Sequence, residues 1–482
     1  MRASNSGELP PGPRLPRALQ TAGWWARPTG FLERCRRIYG SRFTIRLMAQ
    51  DPFVMISDPE EIKQVFTAPP DVLYPGEGAR ILEPIVGPNS ILLLDEGAHM
   101  SQKKLVLPAF HGERMKGLED TVTRVTRNQL ATWPRGQRVP MHPRMQALTM
   151  EVILAAVFGL RAGERLDRLR VALTEMLEFG MSPLSLLPTA QRAPLGLGPW
   201  AKFVKVRARA DELIYAEIHD RRHSDANGGS AIIDSFTDAR HEDGSPMSEV
   251  EIHDELLTLL VAGHETTATQ LTWALERLSR EPEVLARLVE AIDDGDGEPY
   301  LTATIREILR LRPVLLNASP RTVKKPIEVG GITYRDRVHL VVSAWLVQHD
   351  EKIYTEPYAF RPERFLGSDP GTYTWIPSEG EGAGVSAPAS PRWRWRSSCA
   401  SCFARSGSKQ EQARPKRRFA GRSPPSRVAA AKVCSPNDRQ CRRLQPGEPD
   451  VKSARNRASR SLVRKPAAAA ITESTLWRAN EQ

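Results

Sequence analysis

The sequence predicts a mainly α-helical protein with a small β region, and three observations predict it. From Glu96 to about Ser224 the chain reads as successive helix-forming segments with few breakers. One longer stretch, Glu249 to Arg280, carries Leu256, Leu259, Leu260, Gly263, Thr267, Leu271 and Leu275 mostly at steps of three and four, the period of a helix face. Strand chemistry is confined to residues 42–57 and 321–343.

Taken in order, residues 1–30 are rich in Pro and Gly and read as an extended entry segment. Phe31–Tyr39 reads as a short helix, and Arg42–Leu47 and Phe53–Ser57 as two paired strands. Asp58-Pro59-Glu60-Glu61 supplies an N-cap, a first-turn proline and early acids, so a helix follows to Phe66. Residues 68–93, with five prolines and three glycines, read as a long loop of the kind that serves function. Helices are expected at Gly97–Leu107, His111–Trp133, Arg144–Phe158, Gly163–Phe179 and Pro199–Arg222, with an apolar, Pro-rich lid between Met181 and Pro199. Asp225–Ser245 reads as a polar connector. After the central helix come helices Glu281–Ile292 and Tyr300–Leu311, then strands with a turn at Gly330-Gly331, then the irregular segment Pro357–Phe365.

Charge divides the chain. The net charge of +11 over 482 residues resides beyond position 377, where 22 basic residues face 8 acidic ones; 46 basic and 49 acidic residues remain in the first 377. The body is therefore slightly acidic, and the segment 378–482 reads as a basic tail expected to be disordered, with residues 391–482 dense in Arg, Ser, Pro and Ala. No run of 18 apolar residues and no signal-type leader is present, so no membrane span and a cytoplasmic location are expected. Five cysteines do not suggest a disulfide framework. Cys399 and Cys402 form a CxxC, but Cys434 and Cys441 have the wrong spacing for zinc, and no metal ligand set is assigned. The run around Pro415-Lys416-Arg417-Arg418 shows no folded recognition module, so specific nucleic-acid binding is not expected.

The central helix breaks its own rule at Ala262-Gly263-His264-Glu265-Thr266-Thr267. Gly costs about 1 kcal/mol against Ala inside a helix, and buried Glu or Thr needs partners. Small residues admit a ligand to the backbone, and Thr266 can bond back to the Ala262 carbonyl. On spacing alone a ligand groove and an ordinary kinked core helix remain equally open. Likewise Glu307 and Arg310, three apart on a helix, could be an ordinary surface pair.

Together these motifs resemble the cytochrome P-450 family of haem-thiolate monooxygenases, over roughly residues 10–377. Ala262 to Thr267 is similar to the family's oxygen-binding helix. Pro299-Tyr300-Leu301 leading into Glu307-Ile308-Leu309-Arg310 is similar to its K helix, and Phe360-Arg361-Pro362-Glu363-Arg364-Phe365 to its meander. The resemblance implies a haem b cofactor, electrons from NAD(P)H through a ferredoxin or flavoprotein reductase, dioxygen, and a small apolar substrate. It implies that Ala262 and Gly263 form the oxygen groove, that Glu265 and Thr266 are the acid–alcohol pair delivering protons, and that Glu307, Arg310 and Arg364 form a buried triad. Gly97 to Lys104 is similar to the C helix, so His99 and Lys103, with Arg321, would hold the haem propionates; Lys103 stands where the family usually has Arg, a point charge in place of a fork.

The pattern stops after Trp375-Ile376-Pro377, where the family's Gly-rich loop and iron-ligating cysteine should follow. The chain reads Ser378-Glu379-Gly380-Glu381-Gly382-Ala383-Gly384-Val385, and by register Val385 occupies the ligand position with no donor atom. If the first two bases of each codon become the last two of the next reading, Ser378 onward permits F-G-G-G-x-R-R-C-L-G-A. A one-nucleotide displacement near Pro377 is the expectation. Three readings follow: a monooxygenase whose cysteine is lost from this sequence, a non-catalytic remnant of the same fold, and, least favoured, a protein acting through its basic tail.

Overall fold

The computed structural model describes residues 9–110, 113–134, 136–159, 163–180, 198–223, 231–295, 297–368 and 370–377. The 181–197 part of the expected lid, the 378–482 tail and Val385 lie outside the described residues. In chain order the helices are α1 Arg17–Ala26, α2 Pro28–Tyr39, α3 Pro59–Phe66, α4 Pro75–Gly78, α5 Glu83–Val86, α6 Glu96–Val106, α7 Glu113–Ala131, α8 Met141–Val157, α9 Glu164–Gly180, α10 Pro199–Arg222, α11 Ile232–Asp238, α12 Glu249–Arg280, α13 Pro282–Asp293, α14 Glu298–Leu311 and α15 Ala344–Gln348. The strands are β1 Arg42–Ile45, β2 Phe53–Ile56, β3 Leu73–Tyr74, β4 Arg321–Val323, β5 Ile327–Val329, β6 Ile332–Tyr334 and β7 His339–Val342.

Five strands form one sheet in the order β1-β2-β7-β4-β3. β2 runs parallel to β7, with Val54 opposite Leu340, and the other pairings are antiparallel. β5 and β6 form a separate hairpin turned by Gly330 and Gly331, both at positive φ. This is the mainly α, small β architecture expected, and the helical part is wrapped around α12. One core packs α5, α8, α9, α10 and α11 on its N-terminal half, through Ile252, Leu256, Leu257 and Leu260. A second packs α8, α13 and α14 on its C-terminal half, through Ala268, Leu271, Ala274 and Leu278. The start of α12 is set by a reciprocal cap: Ser248 Oγ accepts the Glu251 amide at 3.2 Å, and Glu251 Oε2 accepts the Ser248 amide at 2.7 Å.

Three segments differ from the sequence-based expectation. Residues 17–26 of the supposed extended entry are a helix, because Gln20 turns inward and its amide donates to the Pro13 and Leu15 carbonyls. The 68–93 loop contains β3, α4 and α5. Gly87, at φ +86, lets the backbone close onto α12, where an added Cβ would lie 2.0 Å from Asp254 Oδ1. The connector contains α11, whose Ile232, Ile233 and Phe236 are buried in the first core. Each is a short element held by tertiary contacts in place of local periodicity.

Candidate active site

Ala262 is exposed in the middle of a helix whose neighbours at 260, 261, 263 and 264 are buried. One turn on, the Thr266 hydroxyl is half-buried and donates to the Ala262 carbonyl at 2.6 Å. Ala262 and Thr266 therefore share an open face in the middle of the central helix.

Glu265 looks elsewhere. Its Oε1 meets His142 Nε2 and its Oε2 accepts Gln146 Nε2, each at 3.0 Å, both from α8. Burial alone would push this carboxyl up, but the two hydrogen bonds and the His142 charge outweigh it and hold the group down at about 2. His264, on the same turn, shares a 2.8 Å hydrogen bond between Nδ1 and Thr149 Oγ1, and burial lowers its basicity.

On α6, His99 Nδ1 donates to the Ile91 carbonyl at 3.2 Å, while its Nε2 is buried with no partner within reach. Lys103 lies one helical turn further on. Arg321 is buried on β4 with its guanidinium 4.9 Å above the Phe66 ring. Leu93, Leu94 and Asp95, just before α6, and Tyr74, Glu77, Arg80 and Lys324 line a cleft of about 520 Å³; His99, Lys103 and Arg321 are not among its lining residues. The orphaned His99 Nε2 suits a carboxylate of a porphyrin, and Lys103 and Arg321 have the matching charge. The iron ligand is a different matter. Among the described residues the only cysteine is Cys35, buried in α2, whose thiol burial pushes up to about 11. It is no thiolate.

Glu307 and Arg310 are wholly buried, and the Arg310 guanidinium forks onto the carboxylate at 2.7 and 2.9 Å. Arg364 Nε donates to Glu307 Oε1 at 3.1 Å, and the Arg361 amide donates to the same oxygen at 2.9 Å. Arg310 also donates to the Gln348 and Pro357 carbonyls. The structure thus brings together all three residues named from the motifs, and by those contacts fixes the 348–364 segment beneath α14.

The sequence reading missed a second buried polar cluster at the start of α12. His253 contacts Asp211 through Nε2 at 2.9 Å and Asp254 through Nδ1 at 3.0 Å; two carboxylate partners require both ring nitrogens to carry protons, and they raise its basicity against burial. Asp254 in turn accepts the Asn89 amide and side chain. Glu255 accepts the Ile91 amide and Gln102 Nε2, yet burial pushes its carboxyl up to about 7. From 4.5 to about 7 the unfolded chain has released this proton while the folded chain keeps it, so the Glu255 contribution to stability falls as pH rises through that window. Glu255→Gln is expected to remove about 2 kcal/mol of that fall, measured as the difference between urea unfolding free energies at pH 5 and pH 7.5. Equal pH slopes in the two proteins would refute it. No local signal marks these residues, because acids in a helix ordinarily read as its solvated face.

The comparisons agree with this geometry. The family model described as cytochrome P450 matches residues 7–377. Cytochrome P450 135B1 of Mycobacterium tuberculosis is 36% identical over 386 residues, covering 79% of this chain and 81% of the relative. Cytochrome P450 138 of the same organism is 36% identical over 376 residues, covering 77% and 83%. Among solved structures, the cyanobacterial CYP120A1 with bound retinoic acid aligns with a TM-score of 0.68 at 20% identity, over 82% of this chain and 92% of that one, a likeness of fold.

Proposed function

Because the chain belongs to the cytochrome P450 family of haem monooxygenases, which draw electrons from a redox partner, we propose that it inserts one oxygen atom of dioxygen into a small apolar substrate. The observation that carries this reading is the open Ala262–Thr266 face among the buried residues 260, 261, 263 and 264 of the central helix. The cofactor proposed is haem b, which supplies the dioxygen-activating chemistry when bound, with NAD(P)H electrons arriving through a ferredoxin or flavoprotein reductase in the cytoplasm. No described helix is long and apolar enough to cross a membrane.

The roles of the chain's own groups follow from their chemistry. His99, Lys103 and Arg321 hold the propionates; His99 Nδ1 donates to the Ile91 carbonyl, which leaves the buried, unpartnered Nε2 for a carboxylate. Glu265 and the Thr266 hydroxyl hold and pass protons beside the groove formed by Ala262 and Gly263. The 68–93 segment and the 165–200 region select the substrate. Glu307, Arg310 and Arg364 keep the opposite side in place.

With Val385 at the ligand register, the polypeptide as written lacks the thiolate that drives O–O cleavage, so we propose a one-base displacement near codon 377 and a chain that is catalytically silent in this form. The second reading, a remnant that keeps the fold without the chemistry, is favoured if genomic resequencing leaves that codon unchanged. Haem titration of the full chain, followed by absorbance, tests the propionate residues. His99→Leu is expected to weaken uptake roughly tenfold or more, the value of a charge-assisted hydrogen bond. Unchanged affinity would remove His99 from the site.

A further inference from the structure

We propose that the last turn of α10 is a metal-binding site, in which His219 and His223 form a two-histidine clamp for a divalent transition-metal ion such as zinc(II). Neither residue belongs to the site described above. The two stand four apart, so they project from one face of the helix end. Their rings lie side by side, with centroids 4.2 Å apart and planes inclined by 36°. Two zinc–imidazole bonds of about 2.0–2.1 Å at the tetrahedral angle place their nitrogens about 3.3 Å apart, a span within reach of rings at this separation. Both residues are exposed, so an ion reaches them from solvent.

His223 is already set as a ligand. Its Nδ1 donates to the His219 carbonyl at 2.7 Å, which fixes the proton on that nitrogen and leaves the Nε2 lone pair of the neutral ring for a metal. A backbone carbonyl on the far nitrogen is a common outer partner of a metal-bound imidazole. The neighbouring cations are spent on other groups: Arg221 is held by Glu217 and Asp234 at 3.0 and 2.6 Å, and Arg222 pairs with Glu249 at 3.7 Å. Asp220, on the same turn, pairs with Arg165 at 2.7 Å. Among the described residues no group of three or more His, Cys, Asp or Glu is placed to hold a metal, so the clamp has two protein ligands and water completes the shell of the ion. Imidazole donors suit zinc, copper and nickel, whereas magnesium and calcium take oxygen ligands.

The test is nitrogen-15 NMR on the full chain with ring-labelled histidine. Zinc(II) is titrated at free concentrations set by nitrilotriacetate, so that cysteines elsewhere in the chain do not deplete it. The His219 and His223 signals are assigned by their loss in His219→Gln and His223→Gln. Both Nε2 signals should shift together at one midpoint, and magnesium should move neither. In His219→Gln the zinc midpoint of His223 should rise about tenfold or more, since loss of even an outer partner of a metal ligand costs that much. His223→Gln should do the same to His219. No shift of either ring with zinc, two separate midpoints, or a His223 midpoint unmoved in His219→Gln would overturn the proposal.

Discussion

Arg310→Leu is expected to destabilise the protein by about 3–5 kcal/mol, read as a lower urea midpoint at an unchanged slope. The size follows from what the leucine would leave behind. Glu307 is wholly buried, and its remaining partners would be Arg364 and the Arg361 amide, both on Oε1; Oε2 would lose its 2.7 Å partner and keep only the longer reach of Arg364. The carbonyls of Gln348 and Pro357 would lose the donors that hold that segment under α14. A buried carboxylate with half its donors removed is the costly case, whereas replacing the ions together is often mild. The double variant Glu307→Gln, Arg310→Gln is therefore expected to cost less than the two single changes combined. Additive losses would show that the side chains act separately.

The second large effect concerns the chemistry. The chain as written, supplied with haem, reduced and exposed to carbon monoxide, is expected to lack the red-shifted Soret band of thiolate ligation, because no described cysteine faces the site and Val385 has no donor. The same gene with one base restored after codon 377 is expected to show that band. A thiolate spectrum from the unaltered chain would refute both the missing-ligand reading and the displacement.

Legibility of the fold followed how local its causes are. α10 spans Pro199–Arg222 as the pattern indicated, and α12 spans Glu249–Arg280, because a long amphipathic period and a proline at the first turn act within one segment. Asp58 caps α3 through the Glu60 and Glu61 amides, a cause confined to four residues. α4 and α5, four residues each, have no periodicity to read; α5 is held by Ile85 and Val86 in the first core. The candidate site divides the same way. Motif residues could be named from their order along the chain, but His142 lies 123 positions from Glu265 and nothing near either one announces the contact.

Gln348 is buried, and its Nε2 donates to the Leu309 and Arg310 carbonyls while its Oε1 accepts the amide of Ile376 at 2.8 Å. One side chain thus clips position 376 to the end of α14 before any codon after 377 is read. The last described segment, 370–377, is therefore tied to the helix that carries Glu307 and Arg310 at the point where the family pattern stops.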